Sequence, residues 1–267
     1  MNSRTPSVSR LLFRLIVGSV YVLLVAPVLV VVLVSFNPVE SLTVRLSEPS
    51  LRWYQEFFRN STFNGAFVTS LQVASLSALG STVLGLPAAY GIVRFRFPLR
   101  NSLQLLFLAP VIVPTVILGV ALLMIYFSIG LRGSILTVAI AHIVITTPYV
   151  IRTVSASLTG TDPQMEEAAM GLGAGRLRTF WSITLPLMRS GVIAGALFSF
   201  VLSFGELNAT IFLTSPQVTT LPVQIFAELA FTTNPVVAAA SVLQVLVIVV
   251  AVLLMEYTIG ITRAARF

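Results

Sequence analysis

The sequence predicts an all-α membrane protein of six transmembrane helices, with both termini on the cytoplasmic side. Three observations carry this. Of 267 residues, 57% are hydrophobic and only 9% are charged, and the mean hydropathy is +0.98. A soluble domain carries roughly a quarter charged residues, so too little polar surface exists here to coat a water-soluble globule. The apolar residues fall in runs long enough to cross a bilayer, which takes about 20 residues each. A β-barrel would instead show short alternating segments.

The first span, about 12–36, follows Arg4, Arg10 and Arg14. Its apolar run is too long for the core of a signal peptide and lacks a small-residue cleavage site, so it is expected to be retained. The second span, about 67–92, lies within Asn60–Val93, 34 residues without a charge. The third and fourth are placed at about 103–128 and 134–156, the fifth at about 187–213 and the sixth at about 236–260. Prolines at 27, 87, 110, 114 and 148 are candidate kinks, which neighbouring helices tolerate in lipid.

Orientation follows from the arginines, which supply all 16 cations. With the N-terminus inside, 12 of the 16 lie in cytoplasmic segments, and only Arg45, Arg52, Arg59 and Arg132 lie outside, as the positive-inside rule asks. That placement also accounts for the net charge of +7 without nucleic acid, which would require a basic patch on a soluble surface. Cysteine is absent and there is one His, so disulfides and the usual metal-ligand clusters are excluded.

Two connections stand out. The expected periplasmic loop 37–65 balances Glu40, Glu48 and Glu56 against Arg45, Arg52 and Arg59, a surface suited to a soluble partner. Its Trp53, Tyr54, Phe57 and Phe58 suggest a helix lying along the membrane interface. The expected cytoplasmic loop 159–186 carries a short helix. Asp162 suits its N-cap and Pro163 its first position. Glu166 and Glu167 complement the dipole near its start. Met165, Ala169 and Leu172 form one apolar stripe, and Gly171 or Gly173 ends it. A second short helix is expected at about Arg176–Ser182, ahead of Pro186.

Within this loop, Glu167-Ala168-Ala169, then Gly173, then Ile183 and Leu185-Pro186 reproduce the spacing of the EAA loop of binding-protein-dependent ABC importer permeases. The chain resembles that family along nearly its whole length, most closely the spermidine/putrescine group. Val34-Ser35-Phe36-Asn37, Tyr90 to Phe97 and Thr219-Thr220-Leu221-Pro222 support the likeness. The resemblance implies a type I ABC importer permease-like fold in the bacterial inner membrane. It also implies a second permease subunit, two ATPase subunits and a periplasmic substrate-binding protein as partners. Glu166, Glu167, Ala168, Ala169, Gly173, Ile183, Leu185 and Pro186 then belong to the ATPase-coupling segment. No GxxxxGK[ST] phosphate loop is present, so this chain is expected to be no enzyme and to bind no cofactor, with ATP and Mg on the partner ATPase.

Glu206 and Asn208 are the expected substrate-pathway residues. Ionisable groups inside a span are functional candidates because their burial is costly. Only a helix broken near Gly205 would let these two face one path, since residues two apart on a helix diverge. Polyamine permeases carry two adjacent acids at this place; here Gly205 stands for the first. The favoured cargo is a polyamine such as spermidine or putrescine, the alternatives being an oxyanion, iron or an organic amine. A channel or secondary transporter is the reading from another class. His142, Gln72 and Gln244 are expected to be interhelical hydrogen-bonding groups.

Overall fold

A computed structural model of the chain describes residues 8–40, 48–131, 133–231 and 234–264. Arg4, Arg45, Arg132 and Arg266 therefore lie outside the described residues. Among the described residues the regular structure is all helical, apart from one isolated bridge between Ser215 and Val218. Contacts divide the chain into two compact units, residues 1–61 with 225–243 and residues 62–224 with 244–267.

The first unit contains α1 (Val8–Ser35) and α2 (Arg52–Arg59). The spanning part of α1 buries none of its most apolar stretch, as suits a helix whose solvent is lipid. The chain then turns back on itself. Ser50 N donates to Phe36 O at 2.8 Å, Trp53 Nε1 donates to Asn37 O at 2.6 Å, and Ser35 Oγ meets Tyr54 OH at 2.7 Å. In α2, expected to lie along the membrane interface, Trp53 and Phe57, one turn apart, are buried in protein, while Phe58 is exposed.

The second unit is built on α3 (Ser61–Arg94), α6 (Ile135–Thr159) and α8 (Arg176–Phe204). Between these lie α4 (Arg100–Ile112), α5 (Thr115–Ser128) and α7 (Gln164–Gly171). After α8 come the four-residue α9 (Thr210–Leu213), the apolar α10 (Leu221–Phe231) and α11 (Val236–Ala264), residues 225–243 of the last two belonging to the first unit. Among the described residues five helices are long and apolar enough to cross a membrane, or six with α4 and α5 taken as one bent span.

Small residues explain how the backbones approach. The buried positions of α3 include Ala66, Ser70, Ala74, Ser77, Ser81, Gly85 and Ala89, and those of α8 include Gly191, Gly195, Ser199 and Ser203. Such stripes allow close helix contact in lipid, where burial of apolar surface supplies no drive. A Cβ built on Gly191 would lie 2.9 Å from Thr153 O, and one on Gly195 3.2 Å from Val150 Cα. Only hydrogen fits there. Hydroxyl pairs cross the seams: Ser77 Oγ to Thr146 Oγ1 at 3.0 Å and Ser81 Oγ to Ser199 Oγ at 2.8 Å. One apolar cluster joins Ala89 and Ile92 of α3, Val150, Val154 and Leu158 of α6 and Met188 of α8.

The helices depart from the expected spans in three places. The span at 103–128 is two helices meeting at 102°. Pro114 lacks an N–H and holds Val113 extended, at φ −78° and ψ 131°, which its ring demands of the preceding residue. The expected separate helix at Arg176–Ser182 is continuous with span five, because a π-helical turn over Phe180–Thr184 joins them. Pro186 would clash with the carbonyl four residues back in a regular helix, and the wider turn just before it relieves that crowding. The span expected to run to 213 ends at Phe204, and residues 205–209 are not helical.

Candidate functional site

Two places on the second unit gather the residues singled out above. At the first, Asp162 Oδ1 accepts from Gln164 N at 2.9 Å, the bond an N-cap side chain makes. The helix closes on Gly173 at φ +89°. Ala174 N donates to Ala169 O and Gly173 N to Met170 O, both at 3.0 Å. This pair of bonds is the Schellman ending, whose left-handed position favours glycine.

The two glutamates of α7 part company. Glu167 is exposed, as are Met165, Ala168 and Met170. Leu172, Leu177 and Trp181 beyond them are exposed too, Leu172 at 91%. Ala169 is half-buried, so the expected stripe of Met165, Ala169 and Leu172 is outward at its ends and partly covered at its middle. Ile183 and Leu185 are half-buried near the π-helical turn, and Pro186 is exposed.

Glu166 turns inward and is 7% exposed. Its Oε1 accepts from Arg94 Nε at 2.9 Å and its Oε2 from Tyr90 OH at 3.4 Å. Arg94 Nη2 donates onward to Thr161 Oγ1 at 2.7 Å. A pocket of about 220 Å³ adjoins this cluster, lined by Tyr90, Arg94, Glu166, Glu167, Met170 and Arg176 among others. Arg94, Tyr90 and Thr161 were not recognised from sequence as site residues. The available signal was an arginine and a tyrosine one helical turn apart at the very end of a span.

The second place is the break after α8. Gly205 follows the last helical residue, and the Glu206 carboxylate folds forward onto the next turn. Its Oε1 accepts from Ala209 N at 3.0 Å, and its Oε2 accepts from Thr210 N at 3.0 Å and from the Thr210 hydroxyl. A side chain that binds nearby N–H groups competes with helix continuation. Glu206 is half-buried, Asn208 exposed, and among the described residues no cation pairs with Glu206. The segment is wedged tightly: a Cβ on Gly119 of α5 would lie 2.7 Å from both Cα and O of Ala209.

His142, 1% exposed on α6, holds the two ends of the break together. Its Nδ1 lies 2.6 Å from Ser203 Oγ and its Nε2 2.8 Å from Thr210 Oγ1. Thr210 gives its proton to a carboxylate that can only accept. Nε2 is therefore the donor to Thr210, and in a neutral ring Nδ1 accepts from Ser203. The expected interhelical role of His142 is what the geometry shows. Gln72, by contrast, is exposed.

Residues 81–259 match the model of a family described as the binding-protein-dependent transport system inner membrane component. The chain belongs to that family. It is a permease subunit of a binding-protein-dependent ABC importer, a multi-pass protein of the inner membrane and not itself catalytic. The putrescine transport system permease protein PotI of Escherichia coli (strain K12) is 36% identical over 84% of this chain and 82% of its own length. The sulfate transport system permease protein CysT of Salmonella typhimurium (strain LT2) is 32% identical over 69% of this chain and 71% of its own. In fold, the chain matches a subunit of a bacterial ABC transporter involved in alginate import with a TM-score of 0.77. That match covers 96% of this chain and 98% of that one at 13% identity.

Proposed function

We propose that this permease subunit imports a small organic cation, a polyamine of the putrescine or spermidine type, by alternating access. The observation that carries the reading is the break at 205–209. It leaves a fixed carboxylate, Glu206, beside the exposed amide of Asn208 in a chain whose other described acids lie outside the apolar stretches or at their ends. Oε2 is filled by its donors, whereas Oε1 accepts one backbone N–H well and keeps a lone pair. An ammonium group passing the break meets a negative charge that needs no rearrangement. The likeness to PotI supports the same cargo.

Helix α7 is the segment that docks on the ATPase. Glu167 and the exposed Met165, Leu172, Leu177 and Trp181 present it, and such an outward apolar patch marks an interaction surface. A second permease, two ATPase subunits carrying ATP and Mg, and a periplasmic binding protein complete the importer.

The test is uptake into proteoliposomes holding the chain with its genetically neighbouring permease, ATPase and binding protein. Labelled putrescine, spermidine and sulfate are offered separately. ATP-dependent accumulation of a polyamine is expected, and Glu206→Gln is expected to lower it about tenfold, the equivalent of about 1.4 kcal/mol. The likeness to CysT keeps sulfate in the assay as the rival. Accumulation of sulfate with no polyamine uptake overturns the cargo, and uptake without ATP overturns the importer.

A further inference from the structure

The coupling segment is tied to the bundle in an unequal way. Its covalent ties run through Gly160 on one side and Gly171, Gly173 and Gly175 on the other. Glycine adds backbone freedom at each of these positions. Eight residues of helix are marginal alone, and the outward face of α7 is exposed, uncovered by any of the described residues. The inward face packs on the start of α8 and is tied to α3 by the cluster around Arg94. The Arg94 and Glu166 side chains are 12% and 9% exposed and pair at 2.9 Å. Tyr90 donates to the same carboxylate, and the guanidinium reaches Thr161 in the link between Gly160 and α7. The last turn of α3, the link after Gly160 and the first turn of α7 thus share one planar cation. Removing either partner of such a buried pair strands an unpaired charge.

We propose that the Arg94–Glu166 pair is the joint through which a displacement of α7 is passed to α3. The inference rests on the reading of α7 as the ATPase-docked segment, and it divides the glutamate pair by role. Glu167 faces the partner, and Glu166 fixes α7 to the spanning bundle. Arg94 and Glu166 are positioning residues that touch neither nucleotide nor solute. With the joint intact, the glycine links flex while α7 and the end of α3 travel together. With it broken, α7 rides with the ATPase and the bundle stays behind.

The assembled transporter tests this in two ways. Arg94→Glu and Glu166→Arg are each expected to cut the solute moved per ATP hydrolysed about tenfold, within the usual span of coupling energies. The double swap, which restores opposite charges, is expected to recover most of it. Single variants that move as much solute per ATP as the natural chain, or a swap no better than the singles, overturn the joint.

A second measurement leaves the pair untouched. The chain has no cysteine, so spin labels on Arg96→Cys and Gln164→Cys report only that separation. The joint requires the same separation in nucleotide-free and ATP-trapped complexes, and a change between them overturns it. This readout does not depend on the cargo. Failure of the polyamine assignment and failure of the joint are therefore told apart.

Discussion

At the scale of single residues, charge and backbone conformation decide most of what is specific here. Gly173 sits at φ +89°, where a Cβ costs about 1–2 kcal/mol. Gly173→Ala is expected to loosen the end of α7, read as faster amide exchange confined to residues 164–174. His142 serves two hydroxyls across the break. Leaving buried partners unsatisfied costs about 1–3 kcal/mol, so His142→Ala is expected to lower the unfolding midpoint in nanodiscs. A His142→Leu substitution, which fills the space but cannot bond, is expected to recover little of that loss. The start and end of α7 were legible because glycine, proline and capping aspartate act locally. The inward turn of Glu166 was not, because its partner, Arg94, lies 72 residues earlier in the chain.

Elements depend on which side-chain demands win over the helical ladder. Length and hydropathy pointed to the long apolar stretches, since a bilayer imposes both. They could not show that α4 and α5 meet at 102° or that span five stops at Phe204. Proline kinks were foreseen as possibilities, but the size of a bend depends on what packs against it. The π-helical turn at Phe180–Thr184 is the response to Pro186. Pro186→Ala is expected to let it relax toward a regular helix, seen as an altered exchange pattern over residues 180–186. The α6–α8 seam tolerates nothing larger than glycine at two points. Gly191→Val is expected to cost about 1–3 kcal/mol by overpacking, and the yield of folded protein in detergent checks it.

Taken whole, the molecule is ordered by where its arginines fall. The positive-inside argument puts the start of α7 and the termini on the cytoplasmic side and the 37–65 connection outside. With no native cysteine, single substitutions Asn60→Cys and Gln217→Cys are expected to react in intact cells with a membrane-impermeant thiol reagent. Gln164→Cys is expected to react only after the membrane is opened. Reversal of that pattern would place the coupling segment on the side without ATP and remove the basis for its docking.

The sequence by itself determined the membrane class, the helical fold and the capping signals at either end of α7, because each depends on local composition or spacing along the chain. The tertiary structure decided that Glu166 belongs to the bundle rather than to an outer face, and that Glu206 caps a broken helix instead of projecting from a continuous one. It also decided that His142 bridges that break. The first and the last are contacts between elements far apart in sequence, whereas the Glu206 cap reaches only three and four residues on and forms because the helix is broken there. A hydrogen bond or ion pair is selected only after its partners have been brought within about 3 Å of one another.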